Sequence, residues 1–196
     1  MDKDEVRATF ERDWSAWTST LDEIDPEVTR EPGVCGEWNV HDVVGHVQVG
    51  MRYFLSQVRG AFDHIEATDE EINGERKPMP EDTLNHYEAR NQALQKTNEP
   101  LTWRQLLDEA AWLRERALAF IDARTSDELN EDVGWLEFWN PDVPKPDGLQ
   151  IHVRRVAEAP AAKNPVPAWR FVHPDNMDGH MHEHLDQIRT RLRARS

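Results

Sequence analysis

The stretch VHDVVGHVQVGMRYFLSQV, residues 40–58, reads as one amphipathic helix, because Val40, Val43, Val44, Val47, Met51, Phe54 and Val58 recur at helical spacing and share one face. Asn39 immediately before it is a good N-cap, and Asp42 in the first turn sits at the positive end of the helix dipole. His46 flanks the apolar stripe, three residues after Val43, and Gly50 one turn further on leaves room beside it. A histidine in such a place is by default a satisfied boundary residue of the core. It becomes a ligand only if other elements bring partners to it.

Working outward, three more stretches carry the same period. Val6, Phe10, Trp14, Trp17, Leu21 and Ile24 form a stripe that Asp25-Pro26 ends, since proline disfavours helix in the residue before it and donates no N–H. A connector to Glu37 follows, with Pro32-Gly33 as its turn. Thr102 and Gln105 make a capping box ahead of Trp103, Leu106, Leu107, Ala110, Leu113, Ala117, Phe120 and Ile121, the clearest stripe in the chain. Met177, Met181, Leu185, Ile188 and Leu192 mark a last helix over about 175–193. Between these, residues 61–80 read as an acidic surface loop and residues 81–96 as a further helix candidate.

The expected fold is therefore all-α: a single domain over residues 1–196, a four-helix bundle with a long, mostly irregular insert over about 130–174 between the third and fourth helices. Pro141, Pro144, Pro146, Pro160, Pro165, Pro167 and Pro174 exclude a long helix there. Alternation in Ile151, Val153 and Val156 suggests a short strand, with residues 168–172 pairing to it as a hairpin. A structureless loop of this length is unusual in a compact domain, so the insert should pack on the bundle through Trp135, Phe138, Trp139 and Trp169. No internal repeat is present.

Composition narrows the function classes. A formal charge of −15 argues against a nucleic-acid backbone or an anionic membrane surface as partner. The one basic cluster, Arg189 to Arg195, offsets the dipole at a helix end. No apolar run approaches a membrane span, and the acidic N-terminus does not open a signal peptide, so a cytoplasmic protein is expected. Cys35 is the single cysteine, which rules out an internal disulfide or a cysteine-based zinc site. It has no neighbouring cation or base in the sequence and reads as a small buried hydrophobe. Eight tryptophans suit a bundle core and the wall of a small-molecule pocket alike.

The chemistry-bearing stretch is His180-Met181-His182-Glu183-His184. Residues four apart on a helix have Cβ atoms about 5–6 Å apart, so His180 and His184 can both reach one metal ion at about 2.0–2.1 Å. His182 lies about 200° round the helix from each and drops out. Glu183 directly precedes the second histidine and reads as a solvated residue rather than a general base. Spacing alone leaves two readings open, a metal pair or two partly exposed helix histidines. His41, in the exposed first turn of its helix, and His152, alternating outward, are weaker ligand candidates.

The stretch GVCGEWNVHDVVGH, residues 33–46, resembles the signature of the DinB/YfiT-like superfamily, and His180-x-x-x-His184-x-x-Gln187-Ile188 resembles its second motif on the fourth helix. Residues 81–129, with Asn85 before a short helix and Ser126-Asp127-Glu128-Leu129 after a long one, also look like the ClbS/DfsB and mycothiol-dependent maleylpyruvate-isomerase-like branches. The resemblance implies His46, His180 and His184 as ligands of a divalent metal, with zinc foremost and nickel, iron or manganese as alternatives. It further implies a small-molecule substrate and a homodimer. Members with assigned chemistry include thiol S-transferases and isomerases that use a low-molecular-weight thiol such as mycothiol or bacillithiol. From this follows the expected function: a metal-dependent transferase, isomerase or hydrolase acting on a small electrophile in detoxification or stress response, with Trp38, Trp135, Trp139 and Trp169 lining the substrate pocket. The alternative is a non-catalytic binding or sequestration protein, ClbS-like in protecting against a damaging metabolite. The insert departs from the family pattern and leaves the substrate open.

Overall fold

The computed structural model of the chain describes residues 1–61, 96, 98–138, 149–152, 164–173 and 180–194. Four long helices form the bundle: α1 (Lys3–Asp22), α2 (Val40–Ala61), α3 (Trp103–Asp122) and, after the short α4 (Ser126–Leu129) and α5 (Ala168–Val172), α6 (His180–Arg193). Each starts or stops where local chemistry requires it. Asp2 accepts from the N–H of Glu5 at the head of α1, and Asp25 opens a single 3-10 turn at Pro26–Val28 that follows it. Asn39 and Asp42 cap one another reciprocally at the start of α2, with Asn39 Oδ1 accepting from the Asp42 N–H at 2.9 Å and Asp42 Oδ2 from the Asn39 N–H at 3.2 Å. The Thr102–Gln105 box opens α3 as its sequence demands, and a second box, Thr125 with Glu128, opens α4.

The apolar stripes meet in one core. Trp14, Trp17, Phe10, Leu106, Leu113, Ile121 and Met181 are all sealed from solvent. Burial of one such side chain is worth about 1.5–3 kcal/mol, so these few positions outweigh any surface ion pair at roughly 0–1 kcal/mol. Within the core α1 packs on α3 and α6, while α2 packs on α3, α5 and α6. A small antiparallel hairpin, β1 (Pro32–Cys35) with β2 (Trp38–Asn39), closes over α6 and the start of α2. Gly36 takes a positive φ of 57° at the turn between the strands, and Gly33 takes 97° within β1, where the pairing register shifts. Cys35 is half-buried and packs against the core edge.

The insert is more regular than its sequence suggested. β3 (Asp132–Phe138) is the centre of a three-stranded antiparallel sheet, flanked by β4 (Leu149–His152) and β5 (Asn164–Pro167). Trp135 stands opposite His152 on one side and Pro165 on the other. The expected pairing of residues 168–172 with the Ile151 strand is not found. Those residues form α5, whose Ala168, Phe171 and Val172 are buried against the bundle, and the partner of Ile151 is Leu136. The reason lies in the prolines. Pro165 and Pro167 cannot sit in a central strand but are tolerated on an edge, and β5 is an edge strand that hands over directly to α5 at Pro167. Residues 62–95, 139–148, 153–163 and 174–179, which hold most of the expected acidic loop and the 81–96 helix candidate together with Asn85, Trp139, Val153 and Met177, lie outside the described residues.

Two glycines of α2 have opposite roles. An added Cβ at Gly45 would lie 2.3 Å from Nδ2 and 2.7 Å from Cγ of Asn98, itself fully buried, whereas at Gly50 it would meet nothing within 4 Å. Gly45→Ala should therefore lower stability by about 1–2 kcal/mol, overpacking exceeding the gain in helix propensity. Gly50→Ala should instead raise it by about 0.5–1 kcal/mol through that propensity alone. Urea unfolding of the two variants checks the contrast, and an equal effect of both would contradict the packing described.

Candidate metal centre

Helices α2 and α6 cross with their buried stripes in contact, and His46 on one faces His180 and His184 on the other. His46 and His184 are each only 7% exposed. The Nε2 atom of His180 lies 3.1 Å from Nε2 of His46 and 3.1 Å from Nε2 of His184, and ligand atoms of all three residues fall within 4.8 Å of one another. Two ligands held about 2.0–2.1 Å from one ion at angles of about 90–109° would be roughly 2.9–3.4 Å apart. The two spacings from His180 fall inside that range. Among the described residues this is the single group of three histidine, cysteine or carboxylate side chains so placed.

The donor set suits a cation. A neutral imidazole carries one N–H and one lone pair, and His184 Nδ1 lies 2.9 Å from Gln187 Oε1, which can only accept. The proton of His184 is therefore on Nδ1, and its Nε2 presents a lone pair to the cluster. Burial holds His184 below the ordinary imidazole range, opposed by the bond to Gln187 and the charge of Glu183. Burial thus favours the neutral form of His184, which is the state that binds divalent metal.

The surroundings sort the remaining sequence candidates. Trp38 in β2 packs edge-on against His46 with ring centroids 5.1 Å apart. Trp169 in α5 packs instead on His173, centroids 6.3 Å apart. Trp135 lies in β3, where only its backbone is described, as does His152 in β4. His41 is a correction: it is fully buried rather than exposed, its Nε2 lying 2.8 Å from the carbonyl of Leu101, and Arg30 reaches the same carbonyl. The first turn of α2 is covered by the chain entering α3, a non-local contact that helix spacing does not reveal.

His182 points away from the triad, with Nε2 3.9 Å from Asp13 on α1. Asp13 is buried and also lies 3.4 Å from Nε2 of His173 and 2.8 Å from Nε of Arg12. This carboxylate ties the end of α5 and the ligand-bearing helix to α1. Its place in sequence, three residues after Phe10 on the edge of the buried stripe, was the available signal, but its partners come from far along the chain. The basic end of α6 is likewise engaged: Arg189 donates to Thr20 at 3.1 Å and Arg191 lies 3.9 Å from Glu31.

Comparison with curated proteins returns no match. A crystal structure of a protein from Streptococcus pneumoniae superposes with a TM-score of 0.66 at 14% identity, over 98% of this chain and 91% of that one. A crystal structure of an uncharacterised protein from Escherichia coli UTI89 superposes with a TM-score of 0.60 at 14% identity, over 99% and 94%. At such identities the likeness is one of fold alone. The sequence profile of the DinB superfamily matches residues 9–159, a span that includes His46 and stops before His180 and His184. The triad thus rests on geometry, while the match over more than half of the chain establishes that this protein belongs to the DinB superfamily.

Proposed function

We propose that this DinB-like protein is a metal-dependent enzyme acting on a small electrophilic molecule, as a thiol S-transferase, isomerase or hydrolase in detoxification or stress response. The observation that carries the reading is the meeting of three histidine Nε2 atoms at one partly buried point between two helices. His46, His180 and His184 would hold the ion, zinc foremost. A divalent metal in a three-histidine site acts as a Lewis acid and lowers the pKa of a thiol or water, a low-molecular-weight thiol such as mycothiol or bacillithiol being the cofactor in this reading.

The chain's own residues do the rest. The core stripes of α2 and α6 fix the separation of the ligands, and Trp38 covers the outer edge of His46 against water. Gly50 lies one turn beyond His46, and a Cβ added there would meet nothing within 4 Å. Glu183 is exposed and directed to Gln187, so it is not assigned a proton-transfer role.

Protein purified without a histidine tag should carry close to one equivalent of divalent metal, and His46→Ala and His184→Ala should each lose it. Bound metal stabilises the folded state by mass action, so the wild type should melt several degrees above its chelator-treated form while the variants do not respond to chelator. A wild type holding less than about a tenth of an equivalent, with variants melting alongside it, would exclude the metal reading.

With metal present, thiol cofactors screened against epoxide and halide electrophiles should yield turnover with at least one pair, and that turnover should vanish in His184→Ala. Metal binding with tight retention of a small molecule and no turnover would point to sequestration instead.

A further inference from the structure

The Gln187 bond that sets the His184 tautomer is one link of a longer polar chain on the solvent side of the triad. Glu183, His184 and Gln187 follow one another along α6, with Gln187 Nε2 3.4 Å from Glu183 Oε1 and Gln187 Oε1 2.9 Å from His184 Nδ1. Each link constrains the next. An ionised carboxylate only accepts, so the amide of Gln187 must turn its NH2 towards Glu183. Its oxygen then faces His184 and also only accepts, so the imidazole must place its proton on Nδ1. The remaining lone pair is on Nε2, 3.1 Å from Nε2 of His180.

We propose that Glu183 and Gln187 are positioning residues: a carboxylate–amide relay that holds His184 as the Nδ1–H tautomer and aims its Nε2 lone pair at the point shared with His46 and His180. The tautomer follows from the hydrogen bonds alone, while the consequence for metal affinity rests on the metal reading above. Outer partners of this kind orient a ligand and raise its basicity, and their loss typically lowers metal affinity by about 10–100-fold. Gln187 is the stronger link, being shorter and direct. Glu183 is exposed, and its longer bond mainly selects which way the amide faces.

The test uses two readouts on the full chain. Long-range 1H–15N NMR of the metal-free protein at about pH 8, above the ordinary imidazole range, reads the tautomer of His184, assigned by its absence in His184→Ala. Zinc affinity is measured by competition with a chromophoric chelator. In the wild type His184 should be Nδ1-protonated. Gln187→Leu, similar in size and without an acceptor, should shift the ring towards the Nε2–H form and weaken zinc by about 10–100-fold. Gln187→Glu restores an acceptor at the same place and should keep both the tautomer and zinc affinity within about threefold of wild type. Helical circular dichroism confirms that each variant folds. An Nε2–H ring in the wild type, or an unchanged tautomer and affinity in Gln187→Leu, overturns the relay. If the tautomer shifts as described but the wild type takes up no zinc, the relay stands and the metal reading fails.

Discussion

Three imidazoles whose Nε2 atoms crowd together at a helix seam, two of them almost wholly buried, are the constraint on which the rest of this molecule turns. Such rings cannot all be protonated without strong repulsion in a poorly solvated place, and a proton or a cation shared between them relieves the crowding. The fold answers by fixing both sides of the seam. α2 is seated by Val43, Val44 and Val47 on one flank of His46, and α6 by Met181, Leu185 and Ile188 beside its two histidines. Asn98 against Gly45 and the Asp13 carboxylate beneath His173 and His182 then limit how far either helix can slide. Polar ties are weak singly, but they act here on elements that the apolar core has already brought within reach.

The helices and their caps were legible because they are local. Period, N-cap chemistry and the proline after Asp25 each act over a few residues, and Asn39, Thr102 and the four apolar stripes behave as those rules require. The edge-of-core placement of His46, His180 and His184 followed from the same periodicity, since a residue beside a buried stripe must face the seam if another helix packs there. Their convergence at one point did not follow from spacing. It depends on how α2 and α6 cross, which family resemblance suggested and the three-dimensional arrangement supplies.

What sequence reading missed is non-local. His41 looked exposed because its own helix leaves it on an open turn, yet Leu101 and Arg30 cover it from elsewhere in the chain. The insert looked irregular because prolines were read as breaks, whereas edge strand β5 accommodates two of them and passes straight into α5. Trp14, Trp17 and Trp103 are core, and Trp38 is the tryptophan that reaches the triad among the described residues. Composition counted these aromatic rings without separating their roles. Among the described residues no helix is long and apolar enough to cross a membrane, in keeping with the acidic, strongly charged composition.

The central claim, that His46, His180 and His184 together bind one divalent ion, is tested most directly by X-ray absorption at the zinc edge on protein loaded with one equivalent. The account predicts a first shell with three imidazole nitrogens at about 2.0–2.1 Å, recognised by their outer-ring scattering, and the loss of that shell in His46→Ala, which no longer holds the ion. A shell of oxygen scatterers without imidazole, or one unchanged by that substitution, would contradict it.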